Sequence, residues 1–275
     1  MKKLSRLSAP AYAGVVREKT PRAAMAEIQS CRYHGAAMID LHLSCLEDPS
    51  VENIRRIVNF SELPILALNY NGRYDWSDAG YDTEESRVEL LLRAVEAGAA
   101  GIDMQGYTFD RPSKDAFCGE DQYSFTKAKP KEVVTDEKII AKQCELIEKV
   151  HGMGAEVLLS CHPGVFLSCE QVLDLVRFLE KRNPDIIKIV TVAETTEEML
   201  EVIRTMTVLK QEVKIPVSYH AAGKCGALTR VVNPALGGQI AFCVDHFCES
   251  STLGQLELQM AVETIGNLRK IMGEA

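Results

Sequence analysis

The stretch Ile186-Ile187-Lys188-Ile189-Val190-Thr191-Val192 is almost continuously apolar, and one lysine interrupts it. Such a run is typical of a strand in a parallel sheet that is covered on both faces, because a half-solvated strand would alternate apolar and polar residues. Other short runs predict strands in the same way, at residues 12–16, 36–43, 65–70, 100–105, 156–160, 215–219 and 239–244.

Helix-patterned stretches separate these runs. Thr83, Ser168 and Thr195 stand at predicted helix starts, because each is a capping residue type placed before acidic and apolar residues at helical spacing. Pro21 and Pro49 also lie where a helix would begin, since proline is tolerated in the first turn. Short strands therefore alternate with longer helices along the whole chain.

This alternation predicts an α/β protein with a single (β/α)8 (TIM) barrel domain over residues 1–275. A doubly wound sheet more often has about five or six strands. No GxGxxG or GxxxxGK[ST] motif follows any predicted strand, which weakens the nucleotide-binding alternative. Residues 107–134 break the rhythm after the fourth strand. We hypothesise an active-site lid there, with a passive surface excursion as an equal alternative.

Composition and charge exclude several classes of function. The net charge of -8 and the pI near 5.4 argue against nucleic-acid binding, which usually needs a basic face. The nine cysteines are scattered without a CxxC pair and so favour reduced thiols over a disulfide framework. No apolar run approaches the roughly 20 residues of a membrane helix, and no secretory signal pattern precedes Arg17. We therefore expect a cytoplasmic protein without a membrane partner.

Lys188 is the most informative residue of the chain. Lysine is rarely buried in a strand unless it is paired or functional. A desolvated ammonium loses its proton more readily, and the neutral amine can attack a carbonyl group. The alternative is a lysine near a strand start whose ammonium reaches solvent.

His162 directly follows the fifth predicted strand and precedes Pro163. A histidine at the carboxyl end of a barrel strand can serve as acid and base in turn, although taken alone it could be an ordinary loop residue. Because no close pair such as HxH or HExxH is present, we predict no metal site and no cofactor.

These residues resemble those of the type I 3-dehydroquinate dehydratases, the Schiff-base barrel enzymes of the quinate pathway and of the shikimate pathway, which leads to the aromatic amino acids. The resemblance is strongest over residues 155–274. Lys188, in Asp185-Ile186-Ile187-Lys188-Ile189-Val190, matches the family's Schiff-base lysine on the sixth strand. His162, in Leu158-Leu159-Ser160-Cys161-His162, matches its proton-transfer histidine.

The resemblance also implies a pocket for the substrate carboxylate. Arg230, in Gly226-Ala227-Leu228-Thr229-Arg230, lies where the family keeps a carboxylate-binding arginine. Ser251 and Gln255, in the segment from Ser250 to Gln255, match the serine and glutamine that complete that pocket.

The first half of the chain departs from the family pattern. Asp40 and His42 stand where the family usually has a glutamate and an arginine, and Tyr70 stands where an arginine ends the third strand. Arg73 could reach the same region if the alignment shifts. The glutamate that orients the catalytic histidine has no clean counterpart, and Asp75 is a weak candidate.

The resemblance implies a dehydratase, a carbon–oxygen lyase, that acts on 3-dehydroquinate through an imine on Lys188. Asp40, His42 and Tyr70 are then expected to bind a cyclic keto acid with altered specificity. Two alternatives stay open: a Schiff-base lyase or aldolase for a different keto acid, and a non-catalytic barrel that binds an acidic metabolite. A homodimer is possible, but no surface stripe indicates one.

Overall fold

The computed structural model describes residues 3–70, 84–110, 132–248, 251 and 254–274. Its strands, β1 to β9, are Ala11–Val16, Met38–His42, Ile65–Leu68, Gly101–Gln105, Glu156–Cys161, Ile186–Val192, Val217–Ala222, Ile240–Val244 and Leu256–Glu257. Its α-helices, α1 to α8, are Pro21–Tyr33, Val51–Phe60, Glu84–Glu96, Glu137–Gly152, Cys169–Glu180, Thr196–Glu212, Thr229–Ala235 and Leu258–Ile271.

All the strand pairs of the sheet are parallel, in the order β7-β6-β5-β4-β3-β2-β1-β8-β9. The sheet curls so far that its two sides meet: the backbone N–H of Gln239, just before β8, donates to the carbonyl of Val217 in β7 at 2.9 Å. The predicted TIM barrel is therefore confirmed, and the two-residue strand β9 is an addition that the sequence did not indicate.

Along each strand, successive side chains point alternately into the barrel interior and into the layer between the sheet and the helices. One apolar cluster fills the lower interior and includes Ala11, Met38, Leu158, Ile186 and Ile240. Because side chains two residues apart lie on the same face of a strand, the residues that follow these positions at steps of two line the upper interior. On β6, Ile186 closes the floor, and Lys188 stands above it.

Several helix boundaries are set by the residues that the sequence marked. Ser168 caps α5 and Thr195 caps α6, each in a full capping box, and Pro21 is the first residue of α1. Helix α4 begins at Glu137, because the side chain of Asp136 accepts from the free backbone N–H groups of the first turn. Thr83 lies outside the described residues.

One expected strand boundary needs correction. The seventh strand is predicted at residues 215–219, whereas β7 continues to Ala222, so His220 lies within the strand. Tyr219 faces the helices, and His220 faces the interior.

Of the segment 107–134, residues 111–131 lie outside the described ranges, so the lid stays a prediction. Among the described helices, none has the length and hydropathy to cross a membrane.

Candidate active site

A pocket opens at the carboxyl ends of the strands, directly above the apolar floor. Strand ends meet at this face of a barrel, so residues distant in sequence come together there. Its described lining residues are Val15, Arg17, Asp40, His42, Leu68, Tyr70, His162, Lys188, Val190, His220, Ala222, Arg230, Phe242 and Gln255.

Lys188 rises from the middle of β6 into this pocket and is only 7% exposed. Its Nζ lies 3.6 Å from Oδ2 of Asp103 on β4 and 4.1 Å from the centre of the Phe242 ring on β8. A carboxylate and an aromatic face both favour a positive charge at this position. The same two groups would favour an iminium formed on the lysine.

Asp103 is held by a buried hydrogen-bond network. Its Oδ1 accepts from Ser160 Oγ at 2.5 Å and from Gln105 Nε2 at 3.3 Å, and Gln105 Oε1 accepts from the buried guanidinium of Arg87 at 2.7 Å. Burial raises the pKa of Asp103, an effect that the neighbouring Lys188 opposes. A carboxylate with a raised pKa accepts a proton more readily, so Asp103 is suited to exchange protons with the lysine.

His162 follows β5 and is 3% exposed. Burial lowers its pKa well below the ordinary value, and the positive charges of Lys188 and Arg230 lower it further. The imidazole is therefore neutral near pH 7 and can accept a proton. Its Nδ1 lies 3.9 Å from Oε2 of Glu132, and its ring meets the ring of Tyr70 edge to face, with centroids 6.3 Å apart.

The cationic side of the pocket lies near α7. Arg230 from that helix and the buried Gln255, just before β9, both line the pocket. Burial lowers the pKa of His220 on β7 well below the ordinary value, and Arg230 contributes next. A half-buried guanidinium beside an amide is well suited to bind a carboxylate.

Asp40, His42 and Tyr70 form the opposite wall. His42 Nε2 lies 3.5 Å from Asp40 Oδ2, and the His42 and Tyr70 rings meet at a centroid distance of 6.0 Å. All three side chains are at most 5% exposed. This wall offers hydroxyl, imidazole and carboxylate groups for a polar substrate.

The structure thus brings together all but one of the predicted site residues. Ser251 is not among the described residues that line the pocket; its Oγ accepts from the backbone N–H of Cys248 at 2.9 Å. Lys224, a second lysine close after β7, is exposed, and its backbone N–H donates to Glu194. Arg73 and Asp75 lie outside the described ranges.

Arg17 and Glu132 are two of the residues that the sequence reasoning missed. Arg17 lines the pocket directly after β1, a strand whose carboxyl end was not considered. Its charged side chain at a strand end was the available signal. Glu132 lies beside His162, but it stands in a segment without periodicity, and nothing in the sequence pattern marks it.

One cluster of side chains that could bind a metal ion lies outside the pocket. Glu27, Asp245 and His246 have ligand atoms within 4.8 Å of one another, outside the pocket. Asp245 already accepts hydrogen bonds from His34 and Ser30. Of the histidines near strand ends, His42, His162 and His220 reach the pocket, whereas His246 is 63% exposed and pairs with Glu27.

Comparisons with known proteins show the family of this chain. Residues 12–271 match the sequence pattern of the family described as Type I 3-dehydroquinase. A 3-dehydroquinate dehydratase of Desulfotalea psychrophila is 25% identical over 83% of this chain and 86% of its own length. One from Methanothermobacter thermautotrophicus is 23% identical over 85% and 86%.

Solved structures support the fold. The 3-dehydroquinate dehydratase from Geobacillus kaustophilus superposes with a TM-score of 0.73 over 99% of this chain and 96% of that chain, at 15% identity. The type I enzyme from Clostridium difficile, solved with covalently modified comenic acid, gives a TM-score of 0.74 over 96% and 94%, at 12% identity.

Proposed function

The chain belongs to the type I 3-dehydroquinase family, and from this premise we propose that it dehydrates 3-dehydroquinate through a Schiff base on Lys188, with His162 as acid and base. The observation that carries the proposal is the buried amine of Lys188 inside the pocket, next to a neutral histidine. Schiff-base chemistry needs no cofactor, because the protonated imine is itself the electron sink.

The reaction begins with attack of the neutral Lys188 amine on the substrate ketone. Loss of water from the carbinolamine gives an iminium, whose positive charge Asp103 and Phe242 favour. The iminium makes the neighbouring C–H acidic, and His162 removes that proton. The electron pair returns through the enamine and expels the β-hydroxyl group, which takes the proton from His162. Hydrolysis of the iminium then releases the enone and restores the lysine.

Binding of the substrate is assigned to two sides of the pocket. Arg230 and Gln255 support carboxylate recognition, since a planar guanidinium can donate two parallel hydrogen bonds. Ser251 is proposed to join them on the basis of the family resemblance; its Oγ accepts from the backbone N–H of Cys248, which leaves the hydroxyl proton available for the substrate carboxylate.

The opposite wall carries the substrate specificity. Asp40, His42 and Tyr70 are proposed to contact the ring hydroxyl groups in place of the family's glutamate and arginines. A different cyclic keto acid is the second candidate, because these three side chains offer other donors and acceptors than the family set. The cytoplasmic location and a homodimeric state stay predictions.

Product analysis tests the proposal. Purified protein is incubated with 3-dehydroquinate, and ultraviolet absorbance and mass spectrometry follow the products. We expect one product that is lighter by one water and absorbs as a conjugated enone acid. Two carbon fragments would instead indicate an aldolase. Unchanged 3-dehydroquinate at all pH values would contradict the proposed substrate, and stoichiometric binding without conversion would favour a binding protein.

A further inference from the structure

We propose that Glu132, from the connection between β4 and α4, is the positioning residue that holds the ring of His162 in the orientation and tautomer needed for proton transfer. The inference rests on the proposed function, because it concerns the histidine of that reaction. It assigns the task to a different part of the chain from Asp75, the candidate that the sequence offered.

The contact between the two side chains is specific in its atoms. Oε2 of the fully buried Glu132 lies 3.9 Å from Nδ1 of His162 and 3.4 Å from the backbone nitrogen of the same residue, which donates to it. One carboxyl oxygen therefore faces both the main chain and the ring of the histidine. Contacts of catalytic groups are often long without substrate and shorten in the complex. A proton on Nδ1 that points at Glu132 leaves the lone pair of Nε2 for the substrate.

The main chain around Glu132 is fixed by contacts behind the site. The carbonyl oxygen of Glu132 accepts from Cys161 Sγ at 3.4 Å. A Cβ atom on Gly106 would lie only 2.2 Å from that oxygen, so the close approach depends on glycine. Two residues further on, the carbonyl of Val134 accepts from the buried guanidinium of Arg182 at 2.8 Å.

A buried glutamine completes this anchor. Gln143 on α4 accepts from Arg182 Nε at 2.7 Å and donates to the carbonyl oxygens of Gly106 and Thr108, both at 2.8 Å. The start of α4 and the end of β4 are thereby joined to each other beside His162. Glu132 consequently reaches the histidine from a rigid support.

The charges around His162 give this carboxylate a further effect. From the packed elements the ring faces Glu132, Lys188, Arg230, His220 and Tyr70. The guanidinium of Arg230 opposes the imidazolium that forms when His162 takes the substrate proton. A negative charge beside Nδ1 offsets that repulsion, so Glu132 would stabilise the intermediate in which His162 is protonated.

The test compares Glu132→Gln, Glu132→Asp and the control Glu156→Gln. Glu156 is a matched buried glutamate, 4% exposed, at the opposite end of β5, where it accepts from Ser5. The assays are kcat, KM, the pH dependence of kcat/KM and the fraction of protein trapped by borohydride. Circular dichroism checks that each variant is folded.

We expect Glu132→Gln to lower kcat by about 10- to 100-fold, the range found when the carboxylate that orients a metal-bound histidine is removed. KM should change little. The fraction of protein trapped by borohydride should be unchanged or higher, because the imine accumulates when proton transfer is slow. Without the negative charge the pKa of His162 falls, so the acid limb of kcat/KM moves to lower pH. Glu132→Asp should restore part of kcat, and Glu156→Gln should resemble the wild type.

The outcomes separate this inference from the proposed function. An active wild type whose Glu132→Gln variant keeps its kcat and its acid limb overturns the inference alone. Equal losses of kcat, trapping and folded protein in both Glu132 variants would make the residue structural and also overturn it. A wild type without turnover or trapping overturns the proposed function, and the inference with it.

Discussion

Arg230→Ala removes the guanidinium that the proposed function assigns to the substrate carboxylate. Arg230 is half-buried at the start of α7 and lines the pocket together with Gln255. A hydrogen bond to a charged group contributes about 1.5–3 kcal/mol, and partial solvent access places this site toward the lower end. A loss of about 2 kcal/mol corresponds to about a 30-fold weaker binding of substrate, at 1.4 kcal/mol per tenfold.

The variant should also change the pH dependence. Arg230 is one of the charges that lower the pKa of His162, and its removal lets that pKa rise. The base must be neutral, and it becomes protonated as the pH falls through its pKa. The acid limb of kcat/KM should therefore move to higher pH, the opposite direction from that expected for Glu132→Gln.

Steady-state kinetics on 3-dehydroquinate over a range of pH measures both effects. Arg204→Ala is the control, because Arg204 is exposed on α6 and pairs with Glu201. Ser251→Ala should raise KM much less than Arg230→Ala does, since a neutral hydrogen bond contributes about 1 kcal/mol. An Arg230→Ala enzyme with wild-type KM and an unmoved acid limb would refute this assignment.

Two further predictions concern the proton-transfer group and the specificity wall. His162→Ala should slow turnover by about 10²–10⁴-fold. Borohydride should still trap the substrate, because formation of the imine depends less on the histidine than elimination does. Unchanged turnover would show that His162 is an ordinary loop residue. 3-Dehydroquinate should be converted with a lower kcat/KM than is typical of the family, and analogues that lack one hydroxyl should be tolerated. His42→Arg and Tyr70→Arg variants, measured side by side, should alter that preference. A strict requirement for both hydroxyls in the wild type would instead assign the missing contacts to Arg17, Arg73 or the segment 107–134.

The fold could be predicted because it depends on local pattern. Near-continuous apolar runs distinguish covered parallel strands, and the capping boxes at Ser168 and Thr195 mark helix starts that the structure keeps. Strand ends were less certain, because polar residues can continue a strand when they face the pocket. β7 runs through His220 to Ala222 for that reason, beyond the predicted end at Tyr219.

The site could be predicted only where a residue contradicts its local pattern. Lys188 interrupts an apolar strand, and this anomaly pointed to a functional amine. Glu132 lies in an aperiodic segment; its carbonyl oxygen accepts from Cys161, and the carbonyl oxygen of Val134, two residues on, accepts from Arg182. Neither donor is near in sequence. Its partnership with His162 is therefore a product of tertiary packing and leaves no mark in the sequence pattern.

The most direct test of the central claim is mass spectrometry after incubation with 3-dehydroquinate and borohydride. We expect the wild type to gain the mass of one reduced imine, on a peptide that contains Lys188. A folded Lys188→Ala variant should gain nothing and show no turnover. An adduct of equal yield in Lys188→Ala, on Lys224 or any other lysine, would contradict the account, as would wild-type turnover without a trapped adduct.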